Sequence, residues 1–106
     1  MNNIIKICAN DALFCVPAEE DVFHQARILL DGAYLEPVGT SIPGLVMLVD
    51  KAGKIKGLPF NKRATALYPN RSDVILGDVV LVDVRNESFC ALKNSGYVEK
   101  VLKLVV

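Results

Sequence analysis

Apolar residues recur along this chain with two different spacings. Ile4, Ile5, Ile7 and Cys8 form one short apolar stretch, and Leu13, Phe14 and Val16 form another, on either side of Asn10-Asp11. Asn and Asp side chains bond their local backbone and favour turns, so strands are predicted over 3–9 and 12–17, paired as a hairpin. From 18 to 31 the spacing turns helical. Val22, Phe23, Ala26, Leu29 and Leu30 fall on one face, leaving His24 and Gln25 on the polar side. Glu19, Glu20 and Asp21 suit the first turn, where carboxylates complement the helix dipole. Gly32 is a natural stop.

The next element, 34–38, is short and extended. Pro37 lacks an N–H for a ladder, which puts this piece at a sheet edge or end. A loop over 39–44 leads to Leu-Val-Met-Leu-Val-Asp at 45–50. That run is continuously apolar, as expected of a central strand. Lys51 to Lys54 reads as a compact turn, with Gly53 free to take positive φ. Residues 55–59 read as extended, because the residue before a proline avoids helix. Asn61 then caps a short helix over 62–68, with Ala64, Leu67 and Tyr68 turned inward, and Pro69-Asn70 closes it.

Residues 73–76 lead into a turn or bulge at Gly77-Asp78. A second all-apolar strand spans 79–84, and 89–92 pairs back after the turn at Arg85 to Ser88. Asn94 or Ser95 caps a C-terminal helix to about 104, on which Val98, Val101, Leu102 and Val105 are apolar; their β-branching leaves a strand as the alternative. Strands occur before, between and after the helices without a steady βαβ rhythm. The expectation is one α+β domain over residues 1–106, with a mixed, mainly antiparallel sheet, one main helix, one short helix and a C-terminal helix.

Charge adds a further feature. The net charge is zero, yet residues 1–50 hold seven acids against two bases, and residues 51–72 hold six bases (Lys51, Lys54, Lys56, Lys62, Arg63, Arg71) and no acid. Either folding interleaves these bases with acids, or they form a patch for an anion or an acidic neighbour. Zero net charge and few aromatic residues argue against a dedicated duplex nucleic-acid binder.

The cysteines Cys8, Cys15 and Cys90 are odd in number, widely spaced and flanked by apolar residues, which predicts buried structural thiols. A bridge between Cys8 and Cys15 requires that they face each other across the hairpin. No secretory signal and no membrane-length apolar run is present, so a reducing cytoplasm is expected, with no membrane partner.

Catalytic chemistry finds little support. His24 is the only histidine, and no Cys/His spacing supplies a zinc site. No Gly-x-Ser-x-Gly, P-loop or dinucleotide fingerprint occurs. Phosphate binding has positive features. Asn61 to Arg63 would present free N–H groups at a helix start. Lys56, Lys62, Arg63 and Arg71 add charge, and Arg63 can grip a phosphate with two hydrogen bonds. Phe60, Tyr68 and Tyr34 offer faces for a base. The plain alternative is that Asn61 is an ordinary cap, Arg63 pairs with an acid such as Asp78 or Glu36, and Phe60 and Tyr68 are core. The candidate ligand site is therefore Lys56, Phe60, Asn61, Lys62, Arg63, Tyr68 and Arg71. No cofactor, metal site or catalytic residue is expected.

The run Gly53-Lys-Ile-Lys-Gly-Leu-Pro-Phe-Asn-Lys-Arg-Ala-Thr65, the run Asp73-Val-Ile-Leu-Gly-Asp78, and Gly32, Tyr34 and Glu36 resemble a family. It is an uncharacterised domain of unknown function found in phages, plasmids and the bacteria that carry them. The resemblance implies a mobile-element accessory protein in a bacterial cytoplasm, and it carries over no catalytic residue. Its context suggests countering host defence, by sequestering a phosphate-bearing nucleotide signal or by blocking a host protein. A protein–protein inhibitor or homo-oligomeric module is the alternative, motivated by the apolar tail Val101, Leu102, Leu104, Val105 and Val106. A small phosphodiesterase or hydrolase is the third option.

Overall fold

The apolar runs assemble into one six-stranded sheet in the computed structural model, which describes residues 2–104. The elements in chain order are β1 (Asn3–Ile7), β2 (Leu13–Pro17), α1 (Val22–Leu29), β3 (Leu35–Gly39), β4 (Leu45–Asp50), α2 (Gly53–Lys56), α3 (Lys62–Leu67), β5 (Val79–Arg85), β6 (Ser88–Cys90) and α4 (Ser95–Leu104). The strand order is β2-β1-β5-β4-β3 and every pairing is antiparallel. Asp83 of β5 faces Leu45 of β4 on one side and Cys90 of β6 on the other. β6 therefore lies on the edge of β5 that β1 also uses, and Asn3 bridges to Leu92 where the two meet. The chain is an α+β fold, as the order of elements predicts.

Both faces of the sheet are covered, which explains the unbroken apolar runs. Ile5, Ile7, Met47, Val49, Val79 and Leu81 pack on one face against Ala64 and Leu67 of α3 and Val98 and Leu102 of α4. Ile4, Leu48, Val80 and Val82 pack on the other against Val22, Ala26 and Leu30 of the α1 segment. Each fully buried Ile, Leu or Met here contributes about 1.5–3 kcal/mol. β3 is an edge strand, as Pro37 predicts. Leu102 is core, Val101 is half-buried, and Val105 and Val106 lie outside the described residues. No helix among the described residues is long and apolar enough to cross a membrane.

Local details depart from expectation where side-chain bonding overrides spacing. α1 begins at Val22 because Asp21 is the N-cap, accepting from the His24 N–H at 2.9 Å; Glu19 and Glu20 precede the helix. Gln25 is buried, at 5% exposure, and does not join the polar side. Its amide accepts from the Glu19 N–H and donates to the Pro17 carbonyl, each at 2.9 Å, so the β2–α1 connection satisfies it. The turn expected at 51–54 and the extended piece at 55–59 give way to α2. Pro59 restricts only Leu58 and leaves Gly53–Lys56 free to coil. Gly57, at φ +66°, ends that helix in the left-handed conformation expected of Gly53, which is instead buried in α2. Asn94 caps α4 by accepting from the Tyr97 N–H.

The cysteines also differ from one another. All three are free thiols. Cys15 is exposed, because β2 is an edge strand, and it lies opposite Ile5, so it does not face Cys8. Burial, followed by the nearby Asp78 carboxylate, pushes the Cys8 thiol pKa up.

Candidate functional site

The segment richest in predicted site residues turns out to be a structural strap. Asn61 is 0% exposed. Its Oδ1 accepts from the Ala64 N–H at 3.0 Å, while Nδ2 donates to the carbonyls of Ile7 at 3.1 Å and Gly77 at 2.9 Å. One side chain thus ties α3, the end of β1 and the approach to β5. The strap is closed by backbone bonds from Asn61 to Ile75 and from Gly77 to Pro59. Gly77 has φ +84°, which strains any other residue, and a Cβ there would lie 2.7 Å from Leu58 Cδ1, so Leu58 would have to shift.

The other predicted residues disperse. Among the described residues Arg63 pairs with no acid; its Nη1 donates to the Leu102 carbonyl at 3.1 Å, at the last turn of α4, where a cation complements the dipole. Lys56 binds Asp50 at 2.7 Å. Lys62 and Arg71 are exposed, Phe60 is half-exposed and bridges to Leu76, and Tyr68 is half-buried against the α3 side of the core. Folding also interleaves part of the acid-free segment with its flanking acids, pairing Lys54 with Asp73 and Lys56 with Asp50.

Three clefts differ in charge. The first, about 190 Å³, takes in Tyr68, Lys51 and Lys54 but also Glu36, Asp50 and Asp73. The hydrogen bond between Lys54 and Asp73 raises the pKa of the lysine and lowers that of the carboxyl. The second, about 310 Å³, sets Lys56 among Asp31, Asp50 and Asp78. Burial acts to raise the Asp50 pKa, but hydrogen bonds from Lys56 and the Ala52 N–H outweigh it and hold the carboxyl below its ordinary value. Acids outnumber bases on both linings, which disfavours an additional anion.

The third cleft, about 470 Å³, is lined by Phe23, Arg27, Tyr34, Leu35, Lys51 and Ala52, with no carboxylate among them. Its construction is local. Phe23 and Arg27 are one turn apart on α1 and share a side. Arg27 Nε donates to the Ala33 carbonyl at 3.2 Å and Nη2 to the Gly32 carbonyl at 3.1 Å. This anchors the guanidinium 5.7 Å from the Tyr34 ring centroid, within cation–π range. The β3–β4 register sets Leu35 opposite Asp50, and the Lys51 N–H donates to the Tyr34 carbonyl at 2.9 Å. Lys51 therefore comes beside Tyr34. Phe23 already stacks on Phe89, centroids 5.6 Å apart.

The sequence points to Tyr34 as an aromatic face and to Lys51 as one of six bases, but not to their meeting with Arg27. Pairing 34–38 with 45–50 in the register Leu35 to Asp50 is what brings Tyr34 to Lys51. Among the described residues, no three His, Cys, Asp or Glu side chains stand close enough together to hold a metal ion.

A family model described as Domain of unknown function (DUF3846) matches residues 4–104. No curated protein and no solved structure matches the chain.

Proposed function

We propose, from the premise that this chain belongs to the DUF3846 family, that it is a non-enzymatic binding protein. Its ligand is a phosphate-bearing nucleotide, held in the Tyr34 cleft. The single observation behind this is the composition of that cleft: an anchored guanidinium, an exposed ammonium and an aromatic face, with no carboxylate on its lining. Arg27 and Lys51 suit a phosphate, the first as a planar fork and the second as a mobile point charge. Tyr34, 80% exposed, suits a base. The lining has no imidazole, thiol or carboxylate to serve as base or nucleophile, which favours sequestration over turnover. The biological role we attach to this binding is removal of a nucleotide signal in a bacterial cytoplasm, in the service of a mobile element that counters host defence.

Thermal unfolding of the protein with a nucleotide panel tests the binding. A ligand that binds only the folded state raises the midpoint, by about 2.7 kcal/mol of added stability at a hundred times its Kd. At least one nucleotide should raise it, and Lys51→Glu should abolish the rise. Failure of every panel member, or a rise that persists in Lys51→Glu, overturns the assignment.

A further inference from the structure

Resting on that reading, we infer that the Tyr34 cleft takes a ligand with one ring system and about two negative charges, a nucleoside monophosphate in class. Three features of the cleft limit the ligand. The first is the number of ring platforms. Phe23 and Tyr34 are the aromatic residues of the lining, and Phe23 is committed to its stack on Phe89. Tyr34 has Arg27 near its ring and 80% of its surface open, so it offers one platform to one base.

The second is the number of cations. Arg27 and Lys51 are the only ones on the lining. A guanidinium has five N–H donors. Two of the Arg27 donors are held by the Ala33 and Gly32 carbonyls, which leaves three for a ligand on a group already fixed in place. Fixing it beforehand lowers the ordering cost of binding. Lys51 forms no ion pair within 4 Å among the described residues, so its charge is available as well. Two cations balance one phosphate dianion.

The third is what stands next to the lining. Asp31 and Asp50 adjoin Gly32 and Lys51 in the chain, and both line the second cleft. A triphosphate extending beyond Arg27 and Lys51 would carry its remaining charge towards these acids. The cleft, at about 470 Å³, falls within the size range of about 300–1,000 Å³ for single small-molecule sites.

Calorimetric titration of the full chain at fixed ionic strength tests this with AMP, GMP, CMP, UMP, their triphosphates, adenosine, inorganic phosphate and a cyclic dinucleotide. A monophosphate should bind about tenfold or more tighter than its triphosphate, its nucleoside and phosphate alone. Lys51→Ala should shrink the advantage of the monophosphate over the nucleoside, and an advantage that stays undiminished overturns the charge count. A triphosphate or cyclic dinucleotide that binds as tightly as any monophosphate overturns the charge and ring count but leaves nucleotide binding standing. No heat with any nucleotide overturns both.

Discussion

Asn61 and Arg27 are polar side chains at helix ends, on opposite faces of one sheet, and they end in opposite states. Asn61 starts α3 with both amide hydrogens and its carbonyl oxygen bonded inside the protein. Arg27 sits in the last turn of α1 with two of its five donors bonded, and it lines an open cleft. Sequence chemistry favours the first as a phosphate site, since it lies within an acid-free segment and opens a helix. Geometry favours the second. What separates them is saturation: a polar group whose bonds are all met internally holds the fold, and one with bonds to spare is available to a ligand.

That contrast can be broken most severely at Asn61. Asn61→Ala should destabilise the protein by about 3 kcal/mol or more in urea unfolding, because three buried backbone partners lose their bonds at about 1–3 kcal/mol each. A loss below about 1 kcal/mol would mean that the strap is not held by this side chain. Gly77→Ala comes next, at about 2 kcal/mol, from a left-handed residue and the close approach of Leu58. A stable Gly77→Ala protein would show that Leu58 yields freely.

Tyr34→Ala should behave oppositely, with stability unchanged to within about 0.5 kcal/mol and nucleotide affinity lowered about tenfold through lost stacking. Equal losses in both measurements would erase the distinction between the two regions. The smallest effect is expected at Lys56, whose charge is already met by Asp50. The folded Asp50 pKa lies below 3.8. Its stabilising share is therefore present above that value and lost as pH falls through the lowered one. Lys56→Met should lower the stability in urea unfolding slightly at neutral pH, by about 0–1 kcal/mol, and the gap to the wild type should close as pH falls through the lowered Asp50 pKa. A gap that stays constant in acid would assign the effect to packing.

The strands were the most legible part of the chain. Leu45 to Asp50 and Val79 to Val84 lack alternation because both faces of the sheet are covered, and Pro37 marks an edge. α2 was hidden because Gly53, Gly57 and Pro59 read as loop chemistry, although Gly57 serves to end a helix. Gln25 was misplaced because helical spacing counts an amide as polar and cannot see that Pro17 and Glu19 satisfy it. Cys15 was misplaced because its apolar neighbours do not disclose that β2 is an edge. At the site, Tyr34 and Lys51 were visible singly. Their meeting depends on register, a relation between segments that single-residue chemistry does not carry.

The placement of β5 also fixes an order of events. β1 with β2, and β3 with β4, are hairpins that form from neighbouring residues, but they reach each other only through β5. Ile7 pairs with Val79 and Met47 with Leu81, so each hairpin has one edge that stays unpaired until β5 joins it. During synthesis those two edges are the molecule's exposure to misassociation. The arrival of a single late strand between them removes both at once.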